Sequence, residues 1–361
     1  MINARGPFTP LGVSRSPAEV REAVAEALGG FAVIEDLQAA ASEHLARVSG
    51  AEAGTIVHCA AAGITLAVAG FMTSGDPAKA ARLPDPVGMR SIVLLPTRHE
   101  VNFGQPVSQA IRLAGATPVF LDGPELQDAG QFAQVVERNR PACLVLVSSR
   151  LTRGPDYDLR QLVQTARSKG VPVVIDAAAQ DFRIRELVAT GADLVILSGQ
   201  KYLQGPTAGL IAGTRAAVDA VRAQEKGIGR AMKASKEAIA GTIAALQIRE
   251  TLNMQGWREE QDRKLARFLN RLNKVSGLSA TAEADPTGLP FSRAAVSVAP
   301  RLNAAALVQG LRAGTPPVHV MEHQLGENRI VLETVELMER ELDMIVKRLS
   351  ELIGQSGGKG L

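Results

Sequence analysis

The sequence contains few aromatic residues and almost no excess of charge of one sign. Phe, Tyr and Trp together make up 3% of the 361 residues, whereas proteins that bind single-stranded nucleic acid rely on exposed aromatic side chains beside basic ones. The 40 basic and 37 acidic side chains leave a formal net charge of +3, and the basic residues form no dense run. We therefore predict that the protein has no nucleic-acid partner.

Cysteine is also scarce. Cys59 and Cys143 are the only two cysteines, which excludes a disulfide scaffold and a cysteine-rich zinc site, and we predict no metal. The first seven residues lack the long apolar core of a secretory signal peptide. These features predict a protein of the reducing cytoplasm.

One apolar stretch, residues 54–72, is nearly long enough to cross a bilayer. It is rich in Ala and Gly, is interrupted by Thr55, His58 and Thr65, and has no flanking basic cluster. A buried strand followed by a buried helix explains this stretch better, so we predict no membrane partner.

Between residues 50 and 215, short apolar runs rich in β-branched residues alternate with segments of helical periodicity. We predict strands at residues 55–59, 91–95, 117–121, 143–147, 171–176, 193–198 and 208–213, with helices between most of them, at 106–113, 159–169 and 183–190. This alternation favours an α/β fold in which a mainly parallel sheet is sandwiched by helices. Active sites in such sheets lie at the carboxyl ends of the strands.

After residue 226 the pattern changes. Residues 231–274 are predicted to be mostly helical with a break at Gly256, followed by strands at 278–283 and 294–299 and helices at 303–312 and 333–353. The glycine-rich residues 354–361 are typical of a flexible tail. This part of the chain indicates a smaller α+β domain.

Two strand ends carry the residues with the clearest chemical meaning. Asp176 ends one predicted strand, and the next ends in Ser198-Gly-Gln-Lys201. Neighbouring strands would place Asp176 and Lys201 at one edge of the sheet, where a buried carboxylate needs a cationic partner. A plain structural ion pair between the two is one interpretation. The other is that Asp176 pairs with the ring nitrogen of pyridoxal phosphate (PLP) while Lys201 forms a Schiff base with its aldehyde.

A phosphate-bearing cofactor also needs an anion site. Residues 55–63 pass from a predicted strand directly into a helix, with small residues at the junction that would let backbone N–H groups approach a phosphate. Alanine-rich helix starts are also common in packed cores. The sequence has no GxGxxG after a strand, the motif of dinucleotide-binding enzymes, and no GxxxxGK[ST], the motif of nucleoside-triphosphate-binding enzymes. It therefore gives little support to either of these two enzyme classes.

The order of small-residue helix start, strand-end Asp and Ser-x-x-Lys resembles the aspartate-aminotransferase-like fold of PLP enzymes (fold type I). Five local features resemble its selenocysteine-synthase-like branch, and within that branch the D-glucosaminate-6-phosphate ammonia-lyase group. These features are residues 2–6, Leu11-Gly12, the turn at 59–63, residues 198–201 with Gly205-Pro206, and residues 229–233 with 235–237. The resemblance covers residues 1–255 well and the remainder loosely.

The resemblance implies a cofactor site. Lys201 would bind pyridoxal 5'-phosphate covalently and take the α-proton of the substrate, and Asp176 would hold the pyridinium ring. The other implied cofactor contacts are Ala178 against one ring face, His99 over the other, Gln180 at the ring hydroxyl, and Ser198 with the N–H groups of Cys59, Ala60 and Ala61 at the phosphate. Competing structural roles are a helix N-cap for Ser198, a surface-loop position for His99 and a helix-start hydrogen bond for Gln180.

Substrate contacts are less specific. Arg230 and Lys233 could bind a carboxylate or phosphate of the substrate, or could lie on a solvated face. Asn3 and Arg5 could line the entrance if the N-terminal segment folds back, or could belong to an ordered arm. The stretch 318–329 lacks the clear carboxylate-binding arginine found in many relatives of this fold, with Arg329 a weak candidate.

The resemblance implies four segments: residues 1–14 near the active site, a large PLP-binding domain at 15–250, a small domain at 251–353 and the tail. It implies an ammonia-lyase that converts a β-hydroxy amino acid or an amino-sugar acid, phosphorylated or not, to a keto acid. It also implies a homodimer or a higher even oligomer. Because the Ile-Asn-Ala motif begins at residue 2, we expect the tRNA-engaging N-terminal extension of selenocysteine synthases to be absent.

Several alternatives stay open. They are a PLP-dependent aminotransferase, racemase or aldolase, a selenocysteine-synthase-like transferase without the tRNA-binding extension, and a non-catalytic cofactor-binding or RNA-associated protein. Low aromatic content and scattered charge argue against the RNA-associated version, and the Lys201–Asp176 combination argues against an inactive enzyme.

Overall fold

The computed structural model describes residues 1–154 and 157–357. The chain divides into two compact units. The large unit is Ser16–Thr251, and the small unit combines Met1–Arg15 with Leu252–Leu361.

A seven-stranded sheet forms the centre of the large unit. Numbering all strands in chain order, with β1 in the small unit, its strands are β2 (Ala53–Val57), β3 (Ile92–Pro96), β4 (Thr117–Leu121), β5 (Cys143–Val147), β6 (Val173–Asp176), β7 (Leu194–Ser198) and β8 (Gly209–Gly213). Their spatial order is β2-β8-β7-β6-β5-β3-β4. Only β8 runs antiparallel to its neighbours, so β2 points the same way as the five parallel strands.

Helices cover both faces of this sheet. They are α1 (Ala18–Gly29), α2 (Ile34–Ser49), α3 (Ala60–Thr73), α4 (Pro77–Ala80), α5 (Val107–Leu113), α6 (Gly123–Gln127), α7 (Ala129–Asn139), α8 (Leu159–Ser168), α9 (Ile184–Val188), α10 (Arg215–Arg222) and α11 (Lys236–Thr251). Alternate residues of the inner strands enter two separate apolar clusters, for example Leu144 and Leu146 in one and Val145 and Val147 in the other. This period of two follows from the strand geometry, because successive side chains point to opposite faces.

The small unit is built on antiparallel pairing. Its strands are β1 (Ile2–Ala4), β9 (Leu278–Ala284), β10 (Ser292–Val298), β11 (Val318–Val320) and β12 (Arg329–Leu332), and its helices are α12 (Met254–Leu272), α13 (Ala304–Ala313) and α14 (Glu339–Gly357). Strands β12, β10 and β9 form an antiparallel sheet, and β1 pairs in parallel with β11. The N-terminal residues therefore fold with the C-terminal third of the chain.

The α/β fold with a mainly parallel sheet is confirmed, and all seven predicted strands of the large unit exist. Residues 54–72 form β2 and α3, as predicted, and no helix among the described residues is long and apolar enough to cross a membrane.

Three boundary predictions were wrong. The helical break lies at residues 252–253 and not at Gly256, because the Asn253 side chain caps α12 by accepting a hydrogen bond from the Gly256 N–H at 3.1 Å. The last helix begins at Glu339 and not at residue 333, where the Glu333 carboxylate is held by Arg293 at 2.8 Å. It continues to Gly357, into the predicted flexible tail, and residues 358–361 lie outside the described part of the chain.

Candidate active site

The carboxyl ends of β5, β6 and β7 meet at one edge of the central sheet. Val147 of β5 lies opposite Asp176 of β6, and the Ser148 N–H donates to the Asp176 carbonyl at 2.8 Å. The Ser198 N–H, at the end of β7, donates to the Ala178 carbonyl at 3.0 Å. The residues that follow these strands therefore gather around a single point on the sheet edge.

Asp176 is a buried carboxylic acid at this point, with 5% of its surface exposed. Within the described residues its carboxylate accepts one hydrogen bond, from the Ala178 N–H at 3.2 Å. Burial raises the pKa of Asp176 to about 6, although the charge of Lys201 and the Ala178 N–H act in the opposite direction. A buried carboxyl group with so few partners suits a cationic group bound beside it.

Lys201 lies in the turn after β7. The Gly199 N–H donates to the Ala208 carbonyl and the Gly205 N–H to the Gly199 carbonyl, each at 2.8 Å, which ties this turn to the start of β8. Burial lowers the pKa of the Lys201 amino group, and the charge of Asp176 opposes that shift. Among the described residues no carboxylate oxygen lies within 4 Å of its amino nitrogen, so Lys201 and Asp176 interact through space without a direct ion pair.

The start of α3 lies close to Ser198 because a glycine separates them. Gly209 of β8 pairs with Val57 on one side and Ser198 on the other. A Cβ atom at Gly209 would lie 2.4 Å from the Cys59 carbonyl oxygen and 2.9 Å from the Ala60 nitrogen, so only glycine permits this approach. The Cys59 sulfur caps α3 by accepting from the Ala62 N–H at 3.5 Å.

This arrangement suits an anion. The N–H groups of Ala60 and Ala61 lie in the first turn of a 14-residue helix, where no intrahelical acceptor exists and the helix dipole is positive. Ser198 is followed by turns and not by a helix, so it caps no helix there.

His99 is buried rather than on a surface loop, with 2% of its surface exposed. Its Nδ1 accepts a hydrogen bond from the Val147 N–H at 3.0 Å, which places the ring beside the end of β5 and the proton of the neutral ring on Nε2. Burial lowers the pKa of His99 to about 4, so the ring is neutral at physiological pH. Its edge faces Tyr157, with the ring centroids 5.5 Å apart.

Ala178 and Gln180 follow Asp176 in the same loop. Ala178 is half-buried, and Gln180 is buried with its side-chain oxygen 3.4 Å from the Arg183 guanidinium. Gln180 directly precedes a short 3-10 turn, but its side chain does not cap that turn.

Arg230 and Lys233 are exposed and lie beside the end of β2. The His58 N–H donates to the Met232 carbonyl at 2.8 Å, and Lys233 forms an isolated bridge with Val57. These two cations are therefore carried by the segment next to the Cys59–Ala60 helix start.

Asn3 and Arg5 belong to the small unit and make local contacts there. The Asn3 side chain donates to the Gly6 carbonyl at 3.0 Å, and the Arg5 guanidinium lies 3.4 Å from Glu322 and over the Phe8 ring. Arg329, the weak carboxylate-binding candidate, is paired with Glu283 at 3.0 Å.

Sequence reasoning missed a second buried carboxylate near Lys201. Asp181 is 4% exposed and lies 2.8 Å from the guanidinium of Arg249 on α11. Asp181 and Arg249 are far apart in sequence and belong to no motif that would predict their pairing. The only sequence signal for Asp181 was its position in the loop that follows the strand-end Asp176. No cluster of three or more His, Cys, Asp or Glu in the described residues could hold a metal ion.

Comparison with solved structures defines the class of protein. A structure of serine palmitoyltransferase (SPT) with PLP aligns with 99% of this chain and 88% of the SPT chain, at a TM-score of 0.62 and 14% identity. At this identity the likeness is one of fold alone. The structure of D-glucosaminate-6-phosphate ammonia-lyase aligns with 99% of this chain and 96% of its own at a TM-score of 0.86 and 34% identity. The chain has the fold-type I architecture of PLP enzymes.

Sequence comparison identifies the family. A family profile, SelA: L-seryl-tRNA selenium transferase, matches residues 158–275. The D-glucosaminate-6-phosphate ammonia lyase of Salmonella typhimurium is 35% identical over 98% of this chain and 95% of its own length. A 5'-C-glycyluridine monooxygenase-decarboxylase of a Streptomyces species is 34% identical over 99% of this chain and 91% of its own length. The chain belongs to the family that contains these two enzymes, within the selenocysteine-synthase-like branch, and the resemblance seen in the sequence is confirmed.

Proposed function

We propose that the chain is a PLP-dependent ammonia-lyase that acts on a β-hydroxy amino acid or amino-sugar acid, with or without a phosphate group, and releases a keto acid. The observation that carries this proposal is a lysine and a buried aspartate at one sheet edge, in a chain 35% identical over nearly its full length to D-glucosaminate-6-phosphate ammonia lyase.

The residues at this edge fit pyridoxal 5'-phosphate. Asp176 offers a carboxylate to a protonated ring nitrogen, and Lys201 offers an amino group to an aldehyde. Because Gly209 lets the start of α3 approach Ser198, we propose that Ser198 and the N–H groups of Cys59, Ala60 and Ala61 bind a phosphate together. A neutral His99 can lie over a ring face without placing a positive charge there, and Ala178 and Gln180 complete the proposed set.

Lys201 and Asp176 have different roles in the proposed reaction. When bound, the cofactor supplies an electron sink for the pair of electrons left when the α C–H bond breaks. Lys201 accepts that α-proton, and the burial that lowers its pKa favours the neutral amine a base requires. The ionised Asp176 stabilises positive charge on the ring. Overall the β-hydroxyl leaves as water, and a second water molecule replaces the nitrogen, which departs as ammonia.

The substrate's anionic end is proposed to bind Arg230 and Lys233, which adjoin the helix start on the segment beside β2. Asn3 and Arg5 are proposed as further substrate contacts on the basis of the family resemblance. Binding energy from this remote end would orient the Cα–H bond toward Lys201.

The proposal is tested by assaying ammonia and keto-acid release over a panel of β-hydroxy amino acids and amino-sugar acids, phosphorylated and free. We expect ammonia and keto acid in equal amounts from one substrate, without an added keto acid and without oxygen. Turnover that needs a keto acid would indicate transamination. Turnover that consumes oxygen and releases carbon dioxide would favour chemistry like that in the name of the Streptomyces relative.

Arg230→Ala is expected to raise KM by about tenfold and to change kcat little, because loss of a charge-assisted contact to the substrate's remote end weakens binding in the ground state and the transition state alike. Steady-state kinetics measure the effects on KM and kcat separately. Arg21→Ala, on the exposed face of α1, is the matched control and should leave both constants unchanged. A fall in kcat with an unchanged KM would place Arg230 in the chemical step instead.

We further propose that the enzyme is a cytoplasmic homodimer or a higher even oligomer, since closed symmetric assemblies are the common case. Light scattering of the active protein that reported a monomer would refute the proposed assembly. Cell fractionation tests the proposed location.

We also propose that the large unit is the PLP-binding domain.

A further inference from the structure

A second buried ion pair lies beside the turn that carries Lys201. The Arg249 Nη2 atom is 2.8 Å from the Asp181 Oδ2 atom, and the side chains are 11% and 3% exposed. Asp181 stands in the loop after β6 and Arg249 on α11. None of the roles derived above uses either residue.

Arg249 links the two loops of the site. Its Nη2 atom donates to the carbonyl of Tyr202, the residue after Lys201, at 3.0 Å. Its guanidinium carbon lies 4.0 Å from the ring centroid of Phe182, the residue after Asp181. One side chain therefore holds the backbone next to Lys201 against the loop that follows Asp176.

The pair also contributes to the charge around Lys201. Burial raises the pKa of Asp181, and the charge of Arg249 is the largest influence that opposes this, so Arg249 favours the ionised carboxylate. Burial lowers the pKa of Lys201. The charges of Asp176 and Asp181 favour its protonated amine, and the charge of Arg150 disfavours it. Arg249 is paired with Asp181.

We propose that Asp181 and Arg249 are positioning residues for Lys201: Arg249 fixes the backbone beside the lysine and keeps the Asp181 carboxylate as a second negative charge near its amino group. The proposal rests on the proposed function in one respect, that Lys201 is the reacting lysine. The pair acts as a unit, because Asp181 without Arg249 would be a buried, unpaired carboxylate that takes up a proton.

The test compares Asp181→Asn, Arg249→Met and the double variant. Competitive acetylation of the cofactor-free chain, read by mass spectrometry, gives the pH at which half of the Lys201 amines are reactive. Loss of the negative charge should lower this midpoint by about one pH unit in each single variant. The double variant should show no larger shift than Asp181→Asn, because Asp181→Asn already removes the negative charge and the further loss of Arg249 removes a positive one. In the holoenzyme, the pH midpoint of the cofactor absorbance should move in the same direction.

Two controls separate positioning from a structural role. Arg249→Lys keeps a cation opposite Asp181 and should restore most of the wild-type midpoint. Asp285→Asn breaks the equally buried Arg293–Asp285 pair of the small unit, 2.5 Å apart, and should lower the free energy of unfolding without moving the midpoint. If a single variant fails to fold, the double variant, which leaves no unpaired charge, carries the measurement.

An unchanged Lys201 midpoint in folded Asp181→Asn or double-variant protein would overturn the proposal and leave the pair as a structural ion pair. The acetylation measurement needs neither cofactor nor substrate. A chain that binds no PLP would therefore refute the proposed function while the midpoint shift still decides the role of Asp181 and Arg249.

Discussion

Lys201→Ala is expected to lower kcat by about 10⁴- to 10⁶-fold and to give a protein without covalently attached cofactor. No other lysine lies in the turn after β7, so the substituted enzyme would lose both the attachment point and the proposed base for the α-proton. Measurement of ammonia release, together with the absorbance of the purified protein, tests both consequences.

Borohydride reduction followed by peptide mapping provides the positive identification, because it should fix the cofactor to Lys201 in the wild-type protein. Lys169→Ala, an exposed lysine just after α8, is the matched control and should retain full activity and colour. A label found on another lysine would contradict the site assignment.

Asp176→Asn is expected to lower kcat by about 10³-fold, because an amide cannot hold a protonated ring nitrogen with a full negative charge as the reaction proceeds. The same change should stabilise the cofactor-free protein. Burial keeps the pKa of Asp176 at about 6 in that protein, compared with 3.8 for an ordinary aspartate.

The pH dependence of that stabilisation has a definite sign. Between about pH 4 and pH 6 the folded protein binds the Asp176 proton more tightly than the unfolded chain does, so stability falls as pH rises through this window. Above pH 7 the penalty is constant and on the order of 3 kcal/mol. Asp176→Asn should therefore raise the unfolding midpoint of the cofactor-free protein at pH 8 and leave it nearly unchanged at pH 4.

Thermal unfolding of the two proteins at these pH values makes the comparison, with the exposed Asp219→Asn on α10 as a control that should alter neither stability nor activity. If Asp176→Asn destabilised the cofactor-free protein at pH 8, Asp176 would be a structural residue with compensating partners. Wild-type turnover in this variant would lead to the same conclusion.

The central sheet and its strand-end residues were predictable from sequence because their signals are local. A buried parallel strand is a short, nearly continuous apolar run, and Asp176 and Ser198 mark where two such runs end. Helices α1 and α2 were not predicted, although both carry apolar residues at helical spacing. In α1 the apolar residues Val20, Val24 and Leu28 recur every four residues, but only Val20 is buried in the fold.

The contacts that complete the site depend on residues distant in sequence. The burial of His99 follows from its hydrogen bond with Val147, and the ion pair of Asp181 requires Arg249 on a later helix. The role of Gly209 depends on the distance between its backbone and Cys59, which no local pattern encodes. Sequence periodicity locates elements, whereas these features arise only from how the elements pack.

Lys201 stands on the connection between two adjacent antiparallel strands, and that connection is closed by hydrogen bonds at Gly199 and Gly205 and by Arg249 at Tyr202. A loop restrained at both ends and in its middle leaves the lysine little backbone freedom. The amino group must therefore move between its tasks by rotation about its own side-chain bonds. Such rotations need no rearrangement of the backbone, unlike a loop or domain closure, which takes microseconds to milliseconds. Transfer of the proton from carbon therefore does not depend on a backbone motion of the segment that carries the lysine.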